Sequence, residues 1–243
     1  MNVITLDFET YYDTEHSLAH LSAVQYVHSP LFKVWGVGIK MNDEPTEWFG
    51  PDECAEAIAN ISWDEAAVVC HNTLFDAYIL TQYYKVYPKY YYDTAAMARG
   101  LAPNESSSLK NTCERMFPND KTMRKGDELV NAKGIFDLPP DVEDQISGYC
   151  IQDVDLTYAL YNVMQPTYPQ SELDLIDLTC RMYVEPKLFL DRTLLQAHKD
   201  NIVTNTAQLI QNSGLTRAQL ASQKQFAEHL ESINITVPTK KSQ

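Results

Sequence analysis

Apolar positions come in short blocks before residue 100 and in long helical periods after it. Asn2–Phe8 reads as a buried strand that begins the chain. Val34–Lys40 and Thr46–Phe49 read as two more, parted by the turn signal Asn42-Asp43-Glu44-Pro45. Pro51-Asp52 then opens a helix carrying Ala55, Ala57, Ile58 and Ile61. Ala66–Cys70 is a short run of buried-strand type, followed by a helix from about Leu74 to Tyr84. Tyr90–Tyr92 is the fifth strand, with Asp93 or Thr94 placed to cap the helix after it.

A strand meander followed by strand–helix–strand predicts a mixed α/β sheet with helices on its faces. From Ser106 the pattern is helical, broken by a polar stretch over Asn119–Gly134 that reads as a long surface loop. Pro166 and Pro169 mark a boundary, giving one domain over residues 1–168 and a helical extension over 169–243. Helical periods in that extension cover Glu172–Val184, Arg192–Asn212 and Arg217–Ile233, and Val237–Gln243 carries no pattern.

A length of 243 residues suffices for one buried core plus an appendage. No apolar run reaches the roughly eighteen residues a membrane crossing needs, and the N-terminus lacks the basic start of a signal peptide. A cytoplasmic setting, of a bacterium or an infected host cell, is therefore expected. The five cysteines are odd in number with no CxxC spacing, which argues against both a disulfide framework and a zinc knuckle. Cys70 and Cys150 sit in apolar stretches as small core residues. A formal charge of −14 argues against a tight duplex binder, which needs a basic face. It leaves room for an enzyme whose positive charge comes from bound metal ions.

Three segments bring carboxylates together with defined companions: Asp7-Phe8-Glu9-Thr10, Asn72-Thr73-Leu74-Phe75-Asp76, and Tyr149-Cys150-Ile151-Gln152-Asp153. Asp7 and Glu9 stand at i,i+2 on a strand end and share one face, while Phe8 points into the core. Asn72 and Asp76 are at i,i+4 across a helix entry, and Tyr149 and Asp153 at i,i+4 on a helix. Crowded carboxylates repel one another or protonate. Two divalent ions offset the charge of Asp7, Glu9, Asp76 and Asp153, and Mg2+ favours such oxygen ligands. Taken singly, each segment has a plainer reading: a chance strand motif, a helix cap with a solvated charge, a core-edge tyrosine. Their joint order is hard to obtain by accident.

These segments resemble the three motifs of the DEDD exonuclease superfamily. Gly148 stands where the histidine branch carries its histidine, and Tyr149 matches the tyrosine branch typical of proofreading domains of family A DNA polymerases. Asp93-Thr94, Ser108-Leu109, the phage-type opening through Tyr26, Pro30 and Val34, and the stretch Leu220–Phe226 with Val237–Lys240 extend the likeness over most of the chain. The resemblance implies an RNase H-like sheet of five strands and a 3′→5′ exonuclease acting on single-stranded or frayed DNA 3′ ends. It also implies two Mg2+ ions, with Mn2+ able to substitute, and a polymerase domain in the same chain or separate from it.

Carried over by the same resemblance, Asp7, Glu9 and Asp153 hold the tighter ion, and Asp7 bridges to a second that Asp76 reaches through water. Tyr149 aims the attacking hydroxide, Asn72 holds a phosphate or sugar, and Thr10 and Phe75 lie near the terminal nucleotide. Lys121, Arg124 and Lys125 form a compact basic cluster, read as a solvated loop ahead of a phosphate contact. Tyr83, Tyr84, Tyr87 and Tyr90–Tyr92 read as core and strand packing ahead of a stacking surface, and His71 as structural. Two alternatives stand beside the leading reading: a free-standing exonuclease acting on RNA, and a docking domain that has lost its chemistry.

Overall fold

The computed structural model describes residues 1–125 and 132–237. Two compact units emerge, Met1–Lys187 and Leu188–Gln243. The first holds a five-stranded sheet of β1 (Asn2–Thr10), β2 (Val34–Met41), β3 (Glu47–Phe49), β4 (Ala66–Cys70) and β5 (Tyr90–Asp93), in the order β3-β2-β1-β4-β5. β1 runs antiparallel to β2 and parallel to β4, so the sheet is mixed, as the block pattern implied.

Strand alternation divides the core in two. Ile4, Leu6 and Phe8 of β1 join Val68 of β4 on one face, closed by α1 (Ala23–Val27), α2 (Cys54–Ala59) and α3 (Thr73–Tyr78) through Tyr26, Cys54, Ile58 and Ala77. Ala67 and Val69 face the other way. They meet Met97 of α4 (Thr94–Leu101), Cys113 of α5 (Leu109–Met116), and Leu156, Leu160 and Met164 of α6 (Pro140–Met164). Each such aliphatic side chain, fully buried, stabilises the fold by roughly 1.5–3 kcal/mol.

Helix α6 starts with a proline at its first position and acidic Asp141 and Glu143 in its first turn, all favourable at a helix N-terminus. It lies on β1 and β2, and Gly38 allows the close approach. A Cβ there would stand 2.9 Å from Cys150 Sγ and 3.1 Å from Val154 Cγ2. With only a hydrogen in that space, the helix comes down onto the strands and brings its side chains beside Asp7.

Helix α7 (Gln170–Val184) buries Leu173, Cys180 and Val184. Its Asp177 Oδ1 accepts from the Tyr91 amide at 2.9 Å, and Arg181 binds Asp177 and Glu185 at 2.8 Å each. The compact unit thus extends past the boundary expected at Tyr168, because α7 covers β5. The helix expected over Leu74–Tyr84 is α3 continued by a wider turn at Ile79–Tyr83, where Thr81 Oγ1 donates to the Ala77 carbonyl at 2.9 Å.

In the second unit, α8 (Arg192–Ser213) is capped by Asp191, whose Oδ1 accepts from the Leu194 amide at 2.9 Å, and ends at Gly214 with φ +69°. The helix expected over Arg217–Ile233 is two, α9 (Arg217–Ala221) and α10 (Gln223–Ser232). The break falls at Ser222, extended at ψ 111°, whose hydroxyl caps α10 by accepting from the Gln225 amide. None of these three helices has a buried residue. Pro238, Thr239 and Lys240, part of the tail quoted above, lie outside the described residues. No described helix is long and apolar enough to cross a membrane.

Candidate active site

The site forms where β1 outruns its parallel neighbour. The β1–β4 ladder stops at Thr5 opposite Val69, while the β1–β2 pairing runs on, with Asp7 opposite Gly38 and Glu9 opposite Gly36. The two-residue period sets Asp7 and Glu9 on one face and sends Phe8 into the first core. Past the last β4 pairing, the Phe8 amide donates to Asp76 Oδ1 at 3.0 Å. Asp76 can reach it because it lies in the first turn of α3, which starts right after β4, and it is only 3% exposed.

Asn72 enters α3 in the left-handed region at φ 75°, a conformation asparagine tolerates better than most residues. Its amide donates to Asp93 Oδ1 at 3.0 Å, and the same oxygen caps α4 by accepting from Ala95 and Ala96 at 2.9 and 3.2 Å. One carboxylate thereby holds the Asn72 backbone at the entry to α3 and the start of α4, and Asn72 is exposed.

From above, α6 contributes Tyr149, Cys150 and Asp153. Cys150 Sγ donates to the Asp7 carbonyl at 3.3 Å, and Asp7, Glu9 and Cys150 each offer a donor atom within 4.8 Å of the others. Burial pushes the Cys150 thiol well up.

The carboxylates share one field. Asp7 is pushed up to about 7, first by burial and then by Asp153. Glu9 and Asp76 rise well above the usual carboxylate range through burial, with Asp7 as a repelling neighbour of each. Asp153 is raised by burial against the opposing pull of Lys125. Asp153 Oδ1 is buried with no hydrogen-bond partner among the described residues. Recessed, mutually repelling oxygens with one left unsatisfied make a donor set that suits hard divalent cations.

Of the expected companions, Thr10 turns inward, its hydroxyl 2.9 Å from Tyr26 Oη. Phe75 packs against the first core and stands 5.9 Å from the Tyr26 ring. His71 has partners at both ring nitrogens, Thr94 Oγ1 at 2.9 Å and the Ser107 carbonyl at 2.8 Å, which makes it structural. Tyr91 and Tyr92 are buried as strand residues, while Tyr83 and Tyr87 are exposed. For Lys125 the pattern reading preferred a solvated loop to a phosphate contact. Its ammonium is instead half-enclosed: it donates to Asp153 Oδ2 and lies 4.6 Å from the centre of the Tyr149 ring. Only a fold that returns the loop to α6 reveals this, and a run of basic residues in a polar stretch carries no such signal.

No curated protein matches the chain by sequence. The model of the 3′-5′ exonuclease family matches residues 42–168, more than half of the chain, and the chain belongs to that family. It is a 3′-5′ exonuclease domain of the DEDD type, a family that uses divalent metal ions. Among solved structures the chain is similar to the catalytic core of RRP6 from Trypanosoma brucei, with 14% identity and a TM-score of 0.52 over 90% of this chain and 54% of that one. It is similar to NrnC of Brucella melitensis, with 14% identity and a TM-score of 0.51 over 75% and 81% of the two chains. It is also similar to RNase D of Trypanosoma brucei, with 16% identity and a TM-score of 0.51 over 67% and 57%. The chain spans about half the length of the RRP6 core. These likenesses show the fold: an RNase H-like sheet flanked by helices, with a helical C-terminal part.

Proposed function

We propose that this chain is the editing exonuclease of a DNA polymerase, releasing nucleoside 5′-monophosphates from single-stranded or frayed DNA 3′ ends. The observation that carries the reading is the convergence of Asp7, Glu9, Asp76 and Asp153 in one field beside Tyr149. Gly148, where the histidine branch places its base, adds the preference for the tyrosine branch. The stretch Leu220–Phe226 supports a polymerase connector in the second unit.

Asp7, Glu9 and Asp153 would hold one divalent ion, with Asp7 and Asp76 toward a second. Bound there, Mg2+ or Mn2+ supplies the positive charge that eases loss of a proton from water and departure of the 3′ oxygen. The chain's own groups do the rest. The Tyr149 hydroxyl orients the water, whose oxygen bonds to phosphorus as the P–O3′ bond breaks. The 3′ oxygen of the shortened strand takes up a proton, and the water proton leaves to solvent. Asn72 steadies a phosphate or sugar of the terminal nucleotide, and Thr10 and Phe75 shape the floor beneath it. A paired end does not fit so recessed a site, and mismatched ends fray at lower cost, which yields selectivity.

A second reading, an exonuclease acting on RNA, draws on the likeness to a protein called RNase D. The test is hydrolysis by the full chain of 5′-labelled single-stranded DNA and of RNA of the same sequence, with Mg2+ or EDTA. A one-nucleotide ladder on DNA, lost in Asp7→Ala while the protein stays folded, is the expected result. Faster turnover of RNA moves the second reading to the front, and no turnover of either favours a docking domain.

A further inference from the structure

Resting on the exonuclease reading, we propose that Lys125 belongs to the same site: it meets the scissile phosphate, and divalent ion binding releases it from Asp153 to do so.

The loop that carries Lys125 is built to place it. Arg124 donates to the carbonyls of Phe117 at 2.9 Å, Met123 at 3.1 Å and Pro118 at 3.1 Å, closing the turn on itself. Met123 packs against the second core. Gln152 Nε2 donates to the Arg124 carbonyl at 3.1 Å, which ties the backbone just before Lys125 to the residue just before Asp153. The side chain is 22% exposed, so it reaches the mouth of the cleft from a fixed base.

The ammonium occupies Asp153 Oδ2. A hard divalent cation taken up on Asp153 Oδ1 would repel the ammonium held on Oδ2 of the same carboxylate. Ion binding then drives the ammonium off as the cation comes on, which is an exchange. The displaced ammonium, still tethered beside α6, keeps to the face of the Tyr149 ring, where a cation is attracted by the ring's electrons.

Charge balance gives the exchange its purpose. Four carboxylates and two divalent ions cancel. The phosphodiester then brings one negative charge and the attacking hydroxide a second. A lysine nearby offsets part of this excess, and its field already reaches Asp7, Glu9 and Asp153. Stabilising charge in such a recessed site counts for more than it does in water.

Three measurements on the full chain and its Lys125→Ala and Lys125→Arg variants test the inference: Mn2+ affinity without nucleic acid, single-stranded DNA affinity with Ca2+, and single-turnover hydrolysis at saturating Mg2+. Lys125→Ala should bind Mn2+ more tightly, because no ammonium competes, yet hydrolyse on the order of a hundredfold more slowly. Lys125→Arg should recover much of that rate, and DNA affinity should change far less than the rate. Wild-type hydrolysis by Lys125→Ala overturns the phosphate contact. Mn2+ affinity that falls in step with the rate overturns the exchange and makes Lys125 a brace for Asp153. If the wild-type chain cleaves neither DNA nor RNA, the exonuclease reading fails and takes the phosphate contact with it, while the Mn2+ affinities still decide the exchange.

Discussion

Replacing Asp7 by asparagine should make the ion-free protein more stable at alkaline pH while destroying its activity. Burial and Asp153 push the Asp7 carboxyl from 3.8 to about 7. At about 1.4 kcal/mol for each tenfold change in acidity, that rise sets the cost of ionising Asp7 in the folded chain without bound cations at about 4 kcal/mol. The folded state binds the proton more tightly than the unfolded chain. The associated stability is therefore complete below pH 4, is lost as pH rises through 7, and stays lost above it. Asparagine does not ionise, and it also relieves Glu9 and Asp76 of a repelling neighbour.

Thermal melts of wild type and Asp7→Asn in EDTA should nearly coincide at low pH. They should separate by on the order of 10 °C at pH 8, with the variant higher. Saturating Mg2+ should reverse the order, since wild type gains binding free energy and the variant has lost a ligand. Coincident melts at pH 8 in EDTA, or equal stabilisation of both proteins by Mg2+, would refute the picture of an electrostatically frustrated cluster relieved by cations.

Tyr149→Phe should slow single-turnover hydrolysis by about a hundredfold and leave Mn2+ affinity unchanged, as titration and rapid quench would show. Asp76→Asn can keep the 3.0 Å bond from the Phe8 amide through its carbonyl oxygen, so it should fold normally and lose activity. Asp76→Leu leaves that amide unpaired and should cost about 1–3 kcal/mol in chemical denaturation as well. Gly38→Ala forces α6 off the strands at a contact of 2.9 Å. It should cost about 1–3 kcal/mol, and a rate loss larger than that of Gly148→Ala, where a Cβ meets nothing.

The elements that could be seen in the sequence are those whose pattern answers to one periodicity. β1, β2, β4 and β5 show as apolar blocks, and α6 as a long helical period ending near two prolines. The site carboxylates were visible because each lies at a short fixed spacing from its companions. Three things were not. The break at Ser222 depends on a single hydroxyl choosing a cap over a helix interior. The placing of α7 with the sheet depends on Tyr91 and Asp177, distant in sequence. Lys125 depends on a loop folded back by Arg124 and Gln152, and no local pattern distinguishes that loop from a solvated one.

The order β3-β2-β1-β4-β5 also governs how this domain can be cut. A fragment taken at the matched bounds, residues 42–168, begins after β2 has ended. It would keep β3, β4 and β5 yet lack β1 and β2, so β3 would have no partner and β4 would show an open edge to the solution. Open edges of this kind recruit other chains, and an insoluble product would say nothing about the nuclease itself. A fragment meant to carry the chemistry has to start at Met1, for the two residues on which the site rests, and run through α7, which closes the far side of the sheet.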